Sequence, residues 1–190
     1  MKKAVFTLVV DNYRPDICER TLPSIEAYAK KIGADFKVIT ERKYPQFPPA
    51  YEKVQVHELG RDYDYCINMD VDFIIDKNAP DFTTGILPNY VGFFEMFDAH
   101  CQFELDECFK NDGRDIGIAA NFVLTDRNTH DLWEPLSISW EELRKLIKGD
   151  HQASEYCISR NLAKHHYKFT GLNYHDDIPK LFYHLGVSTK

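Results

Sequence analysis

Two kinds of hydrophobic pattern alternate along the first part of the chain, and this alternation limits the folds that the chain can adopt. Residues 4–10 form an apolar run interrupted only by Thr7, which is typical of a strand buried on both faces of a parallel sheet. Apolar side chains then recur at the spacing of one helix face, at Cys18, Leu22, Ile25, Ala29 and Ile32. Gly33 is expected to end this helix, Pro23 to kink or restart it, and residues 36–39 to form the next strand. The pattern predicts a βαβ unit and hence an α/β protein.

The rest of the chain continues the alternation. A short helix is predicted over residues 51–59, and the capping-box spacing of Ser139 and Glu142 predicts a helix through Ile147 that stops at Gly149. Asp150 is a candidate cap for another helix that runs through Leu162. The remaining strands are predicted over residues 65–69, 73–75, 90–97, 116–124 and 181–183. A chain of 190 residues has the length of one domain. We therefore expect a single domain with a mainly parallel mixed sheet flanked by helices.

The formal net charge of -7 at pH 7 limits the possible partners. A general nucleic-acid interface needs a basic face, so we expect no nucleic-acid partner. An anionic small molecule would also be repelled, unless a bound divalent cation and a few local Lys or Arg residues reversed the local field.

The cysteines and the apolar runs indicate a reducing compartment. The five cysteines form no C-x-x-C pair and are odd in number, which predicts reduced structural thiols. The apolar run after Met1 has only the length of a strand and ends at Asp11, so we expect no signal peptide, and no apolar stretch is long enough to span a bilayer. A cytoplasmic location is therefore expected.

Two carboxylates stand at a predicted strand end in Asp70-Val71-Asp72, between two apolar runs. Side chains two residues apart in an extended segment point the same way, so both aspartates can meet at one hard cation while Val71 turns to the core. One or two carboxylates, together with water and phosphate oxygens, are typical ligands of Mg²⁺ or Mn²⁺ at a nucleotide site. A solvated turn between two strands is the alternative that the motif leaves open.

Four further segments, together with the Asp70-Val71-Asp72 motif, resemble the sequence motifs of a known protein family. They are Val10-Asp11-Asn12-Tyr13, residues 120–124 around Asn121, Asp150-His151-Gln152, and His184 followed by Lys190. In these segments and in their order, the chain resembles the GT-A fold glycosyltransferases, nearest to the retaining group that contains glycogenin and the bacterial lipopolysaccharide galactosyltransferases. It is also similar to glycosyltransferase domains of chlorella viruses, which implies a viral protein in the host cytoplasm and a catalytic domain that belongs to a longer chain.

The resemblance implies that the first segment binds uridine. Val10, Asp11 and Asn12 would contact the base and the ribose, and Tyr13 would lie against the uracil. Asp11 and Asn12 also follow a predicted parallel strand, where α/β sheets open their ligand crevice. The same pair of residues is typical of a simple turn.

The resemblance also implies a metal site and a diphosphate site. Asp70, Asp72 and His184 would bind the cation, Asp70 and Val71 would also contact the nucleotide, and Lys190 would hold the pyrophosphate. Imidazole with two carboxylates suits Mn²⁺ better than Mg²⁺, although Mg²⁺ is possible. As alternative ligands or acceptor contacts we consider His165, His166, His175, Asp176 and Asp177.

The catalytic candidates come from the resemblance as well. Asn121 would lie beside the donor sugar and the acceptor, and Asp150 or Gln152 would stabilise the reacting sugar on its β-face. Lys53 and Arg14 are candidates for further phosphate contacts, although a solvated helix face is the more usual role for such residues. The implied reaction moves a hexose or deoxyhexose, namely glucose, galactose or rhamnose, from a UDP-sugar to a saccharide or glycan acceptor with retention.

Three other functions compete with this interpretation. A phosphohydrolase of the Asp-x-Asp type is disfavoured, because its motif usually follows the first strand and Asp70 lies in mid-chain. A nucleotidyltransferase that makes sugar nucleotides needs a glycine-rich phosphate loop after the first strand, which residues 11–14 do not provide. A catalytically silent module that binds a UDP-sugar or a glycan stays open.

Overall fold

The structure, a computed structural model, describes residues 1–94 and 117–172 and the backbone of residues 182–184. Its strands are β1 (Lys3–Leu8), β2 (Asp35–Ile39), β3 (Tyr65–Met69), β4 (Phe73–Ile75), β5 (Tyr90–Phe93), β6 (Phe122–Asp126), β7 (Lys168–Gly171) and β8 (Phe182–His184). Its α-helices are α1 (Pro15–Lys31), α2 (Val56–Leu59), α3 (Trp140–Leu143) and α4 (Gln152–Lys164). Segments of 3₁₀ helix lie over Pro49–Gln55, Phe82–Thr84 and Arg127–Trp133.

Six of these strands form one mixed sheet in the order β2-β1-β3-β6-β5-β7. β1 is parallel to β2 and β3, and β5 is parallel to β7, whereas β6 is antiparallel to both of its neighbours. Five of the six strands therefore run in one direction. This arrangement confirms the predicted α/β class and the mainly parallel sheet, and it places the ends of β1 and β3 beside the start of β6.

A second, smaller sheet joins two strands that are distant in sequence. β4 pairs antiparallel with β8, and the register places the backbone of His184 opposite Phe73. The predicted final strand over residues 181–183 is thus observed one residue further along. Because β4 follows Asp72 directly, this pairing brings the last described strand to the end of β3.

The first helix illustrates how local signals and packing compete. Pro15 stands in its first turn, and the helix ends at Gly33 in a Schellman motif, with Ala34 N–H bonded to the Ala29 carbonyl and Gly33 N–H to the Lys30 carbonyl. Gly33 has a φ of +68°, a conformation that favours glycine. Contrary to expectation, the helix runs through Pro23 without a break. The lost hydrogen bond is offset because one face of the helix is buried against the sheet.

Several other boundaries correct the predictions. The 51–59 segment is mostly 3₁₀ helix, β7 was not predicted, and α3 stops at Leu143 instead of Ile147. Residue 116 of the predicted 116–124 strand lies outside the described residues, and residues 117–121 are not strand, so β6 begins at Phe122. The Ile118 N–H donates to the Ser159 hydroxyl of α4 at 2.8 Å instead of joining a strand. The helix α4 starts at Gln152, and Asp150 does not cap it. Within the described part, β5 ends at Phe93, so the last residues of the predicted 90–97 strand lie outside the described residues.

The hydrophobic core covers both faces of the large sheet. One cluster packs α1 against the sheet, with Ile25 and Ile67 fully buried, and the other packs α4 against the opposite face, with Phe6 and Ile158 fully buried. Cys18, Cys66 and Cys157 are buried free thiols, as predicted, and Cys101 and Cys108 lie outside the described residues. Among the described helices, none has the length and hydrophobicity that a bilayer crossing requires.

Candidate functional site

A cavity of about 440 Å³ opens where β1 and β3 end. Four segments supply its walls: the end of β1 and the loop after it, the start of the first 3₁₀ segment, the Asp70-Val71-Asp72 turn, and the residues around the start of α4. The lining residues are Leu8, Val10, Tyr13, Pro48, Pro49, Ala50, Lys53, Asp70, Val71, Asp72, Asp150, His151 and Glu155.

The Asp70-Val71-Asp72 turn is fixed by its neighbours. The Asp70 N–H donates to the carbonyl of Asn121 at 2.8 Å, which ties the turn to the residue before β6. Residues 70–72 form a turn, with the Phe73 N–H donating to the Asp70 carbonyl at 3.4 Å, and not the extended segment that was predicted. Val71 is buried, as expected. Asp70 and Asp72 both line the cavity, so the motif presents two carboxylates to one space.

Lys53 is buried beside the first aspartate. Its ammonium lies 2.5 Å from Asp70 Oδ1 and donates to the carbonyl of Ala120 at 3.0 Å. The residue is only 8% exposed, so its side chain does not lie on a solvated helix face. A buried ammonium needs such partners, and its position against Asp70 places a positive charge at the carboxylates.

The loop after β1 forms a tight turn at the cavity. Asp11 and Asn12 have φ values of 54° and 56°, and the Tyr13 N–H donates to the Val10 carbonyl at 3.1 Å. These are the features of a type I′ turn, in which Asp and Asn are favoured. Val10 and the exposed Tyr13 line the cavity, whereas Asp11, Asn12 and Arg14 are not lining residues.

Two charged side chains of this loop pair with protein groups. The Arg14 guanidinium binds Asp16 at 2.9 Å on the surface. Asp11 Oδ2 binds Arg42 Nη1 at 2.5 Å, a contact that no local sequence pattern indicated. Burial raises the pKa of Tyr13, and the nearby Asp72 and Asp70 charges raise it further, so this tyrosine lies within the field of the two aspartates.

The start of α4 brings another group of polar residues to the cavity. Asp150 lines it together with His151 and Glu155, two residues that were not among the candidates. Gln152 is buried, and its Oε1 accepts hydrogen bonds from the backbone N–H groups of Lys148 at 2.8 Å and Gly149 at 3.3 Å. Gln152 therefore ties down the loop before α4 and is not a lining residue. Glu155 follows Gln152 at helical spacing, and the spacing alone does not show that it faces a cavity.

The donor set fits a divalent cation with oxygen preference. Asp70 and Asp72 supply two carboxylates, and Mg²⁺ or Mn²⁺ at nucleotide sites takes one or two such groups with water and phosphate. The backbone of His184 lies opposite Phe73, next to Asp72, in the β4–β8 pair. Among the described side chains, no group of three His, Cys, Asp or Glu residues forms a complete metal site.

The other candidates are distributed as follows. Lys190 and the His175-Asp176-Asp177 segment lie outside the described residues. His165 contacts Glu134 Oε2 at 3.2 Å and stacks on Tyr167, and neither His165 nor His166 lines the cavity. Asn121 has its Oδ1 bonded to the Phe122 N–H at 2.8 Å and lies next to Asp70 through its own carbonyl.

Comparison with known proteins defines the fold. No protein-family profile and no curated protein matches the sequence. Among solved structures, the catalytic domain of Drosophila β1,4-galactosyltransferase 7 in complex with xylobiose is similar, with a TM-score of 0.57 and 14% identity over 97% of this chain and 71% of that chain. A mutant of the same enzyme in complex with manganese, UDP-Gal and xylobiose has a TM-score of 0.52 and 12% identity over 98% of this chain and 71% of that chain.

A galactosyltransferase, LgtC, solved with donor and acceptor sugar analogues, has a TM-score of 0.51 and 13% identity over 82% of this chain and 70% of that chain. The chain therefore has the GT-A glycosyltransferase fold. At these identities the likeness concerns the fold, and the activity has to be argued from the residues of the cavity.

Proposed function

We propose that this protein is a metal-dependent glycosyltransferase that moves a hexose or deoxyhexose from a UDP-sugar to a saccharide acceptor with retention. One observation carries the proposal. In a GT-A fold, Asp70 and Asp72 line the same cavity as Tyr13 and Lys53, so two carboxylates for a cation, an aromatic face for a base and a buried positive charge share one space.

The charge of the cavity supports a cation there. Asp70, Asp72, Asp150 and Glu155 are four carboxylates in its lining, against the single ammonium of Lys53 among the lining residues. Such a field repels a nucleoside diphosphate unless a divalent cation reverses it. We assign Asp70, Asp72 and His184 as its ligands. When bound, the cation stabilises the negative charge that develops on the leaving diphosphate.

The protein's own groups would complete the donor site. Tyr13 offers an exposed ring at the cavity for stacking on uracil, next to the turn that carries Asp11 and Asn12. Lys53, held at the carboxylates, is placed to add positive charge at the diphosphate. Lys190 stays a further candidate for that role.

The reacting sugar would lie toward the start of α4. Its anomeric carbon becomes cationic as the bond to the diphosphate breaks, and a carboxylate on the β-face stabilises that charge. Asp150 lines the cavity and is our candidate for this group, with Glu155 on the same helix end as the second. The side-chain Oε1 of Gln152 already accepts from the backbone N–H groups of Lys148 and Gly149, so Gln152 is better suited to hold Asp150 in place.

Donor hydrolysis tests the proposal directly. The protein is incubated with UDP-glucose, UDP-galactose or UDP-rhamnose and Mn²⁺, and release of UDP is followed by chromatography. Slow, Mn²⁺-dependent release of UDP from one donor is expected. Water then takes the place of the acceptor, and NMR recorded before the released sugar mutarotates reports whether its anomeric configuration is retained. Matched incubations with Asp72→Asn and with EDTA provide the controls.

A silent UDP-sugar-binding module is the second candidate. It would show UDP stabilisation in Mn²⁺ without any release of UDP from the donors. Stabilisation at a hundredfold excess of UDP over its dissociation constant is worth about 2.7 kcal/mol and is visible as a shift in melting temperature. Equal stabilisation by ADP would refute the uridine preference, and no stabilisation by any nucleotide would refute the site.

A further inference from the structure

Arg42 connects three parts of the protein that surround the cavity. Its Nη1 lies 2.5 Å from Asp11 Oδ2 in the turn after β1, and its Nε lies 3.0 Å from Glu52 Oε1 in the first 3₁₀ segment. Its Nη2 donates to the carbonyl of Phe47, the residue before the cavity wall at Pro48. One guanidinium group therefore bonds to all three.

Glu52 fixes the position of this guanidinium. The carboxylate is fully buried, and burial of an unpaired carboxylate is strongly unfavourable. Besides Arg42, it accepts hydrogen bonds from the backbone N–H groups of Lys43 at 3.0 Å and Tyr44 at 2.8 Å, and from Gln55 Nε2 at 2.7 Å. With four donors on one buried group, the Glu52 carboxylate is held in place and in turn anchors the Nε of Arg42.

This fixed orientation matters for Asp11. The aspartate stands in the exposed type I′ turn with about half of its side chain in solvent, where an unpaired carboxylate would rotate freely. The bond to Arg42 holds the carboxylate, and the turn that carries it leads directly to Tyr13 in the cavity wall. Asp11 does not itself line the cavity, so it would reach the edge of a base stacked at Tyr13 from just outside the lining, in the one position that Arg42 sets.

We propose that Arg42 is a positioning residue that sets the nucleobase preference of the cavity by fixing Asp11. The inference rests on the proposed function, since it requires a nucleotide at Tyr13. Arginine suits the role better than lysine because its planar guanidinium directs separate N–H groups at three acceptors. The ammonium of a lysine is a compact point charge, and it cannot hold both Glu52 and Asp11 in the positions that the guanidinium sets.

The test compares nucleotide affinities in Mn²⁺ by calorimetry, with UDP and CDP as probes. Arg42→Lys keeps a charge for the buried Glu52, so the protein folds. We expect its UDP dissociation constant to rise about tenfold, the equivalent of one charge-assisted hydrogen bond, and its preference for UDP over CDP to shrink by a similar factor. Arg127→Lys is the matched control, because Arg127 pairs with Asp64 at 2.9 Å on the surface and should change neither affinity.

A second variant separates positioning from a structural role. Asp11→Asn retains a residue that a type I′ turn favours and leaves the Glu52 bonds intact. It should lower the preference for UDP over CDP without lowering the melting temperature. A variant with both Arg42→Lys and Asp11→Asn should lose no more of this preference than either single variant does.

The outcomes are distinct. An Arg42→Lys protein with equal losses for UDP and CDP, or losses that multiply in the double variant, would refute the inference. If the wild-type protein binds UDP and the Arg42→Lys variant has the same affinities for UDP and CDP as the wild type, the inference is refuted and the proposed function is not. A wild-type protein that binds neither nucleotide in Mn²⁺ would overturn the proposed function and this inference with it.

Discussion

Replacement of Lys53 by methionine is a sharp test of the charge arrangement at the cavity. Methionine fills a similar volume and keeps the apolar stem but removes the ammonium. Two groups then lose their contact with the ammonium: Asp70 Oδ1, now 2.5 Å from Lys53 Nζ, and the Ala120 carbonyl, which accepts from it at 3.0 Å. The substitution thus isolates the contribution of one buried positive charge.

The expected cost follows from the burial of the pair. Removal of one partner from a fully buried ion pair costs about 3–5 kcal/mol. The Asp70 side chain is 27% exposed, so water solvates part of the remaining charge, and we expect about 2–3 kcal/mol. For a domain of this size the melting temperature should fall by about 4–12 °C.

Divalent cations should partly reverse this loss. In the wild type, the ammonium of Lys53 competes with a cation for Asp70, so Mn²⁺ without nucleotide should bind more tightly to Lys53→Met and raise its melting temperature more. UDP in Mn²⁺ should bind more weakly, because the positive charge at the diphosphate is gone. Differential scanning fluorimetry with Mn²⁺ alone and with Mn²⁺ plus UDP measures both effects.

Lys164→Met is the matched control. Lys164 Nζ also lies 2.5 Å from a carboxylate oxygen, that of Glu134, but the two side chains are 48% and 39% exposed. An exposed pair contributes less than about 1 kcal/mol, and the cavity is not involved. If Lys53→Met is no more destabilising than Lys164→Met, or if Mn²⁺ alone stabilises Lys53→Met less than the wild type, the reasoning about Asp70 is wrong.

Three further predictions concern the metal ligands, a buried histidine and a helix cap. Asp72→Asn and His184→Ala should each reduce donor turnover by orders of magnitude with little change in melting temperature, and the two losses should be far from additive; undiminished turnover in His184→Ala would remove that residue from the site. Burial lowers the pKa of His130 below its usual 6.5, so stability should be complete above that pH and fall as the pH drops below it. Urea midpoints at about pH 7.5 and about pH 5.5 should differ less in His130→Gln than in the wild type. Ser139→Ala removes the observed capping box and should lower the free energy of unfolding by about 1 kcal/mol. The urea midpoint should fall, and the stabilisation by Mn²⁺ and UDP should not change.

The sequence alone determined the features that depend on neighbouring residues. The strand, helix and strand of residues 3–39, the Schellman end at Gly33 and the capping box at Ser139 follow from local periodicity and turn chemistry. The same local reasoning placed Asp70 and Asp72 at the end of a strand with Val71 buried between them. They share a cavity with Val10 and Tyr13 because the parallel strands β1 and β3 end at the same edge of the sheet.

Only the tertiary structure decided which distant groups meet. The partners of Lys53 and of Arg42, and the entry of Glu155 into the cavity, depend on where separate loops fold back. No periodic pattern encodes such contacts, because each joins residues far apart in the chain or fixes the rotation of a helix against its neighbours. The same reason explains the continuous helix through Pro23 and the late start of β6 at Phe122: burial and hydrogen bonds to other elements outweigh local preference at both positions.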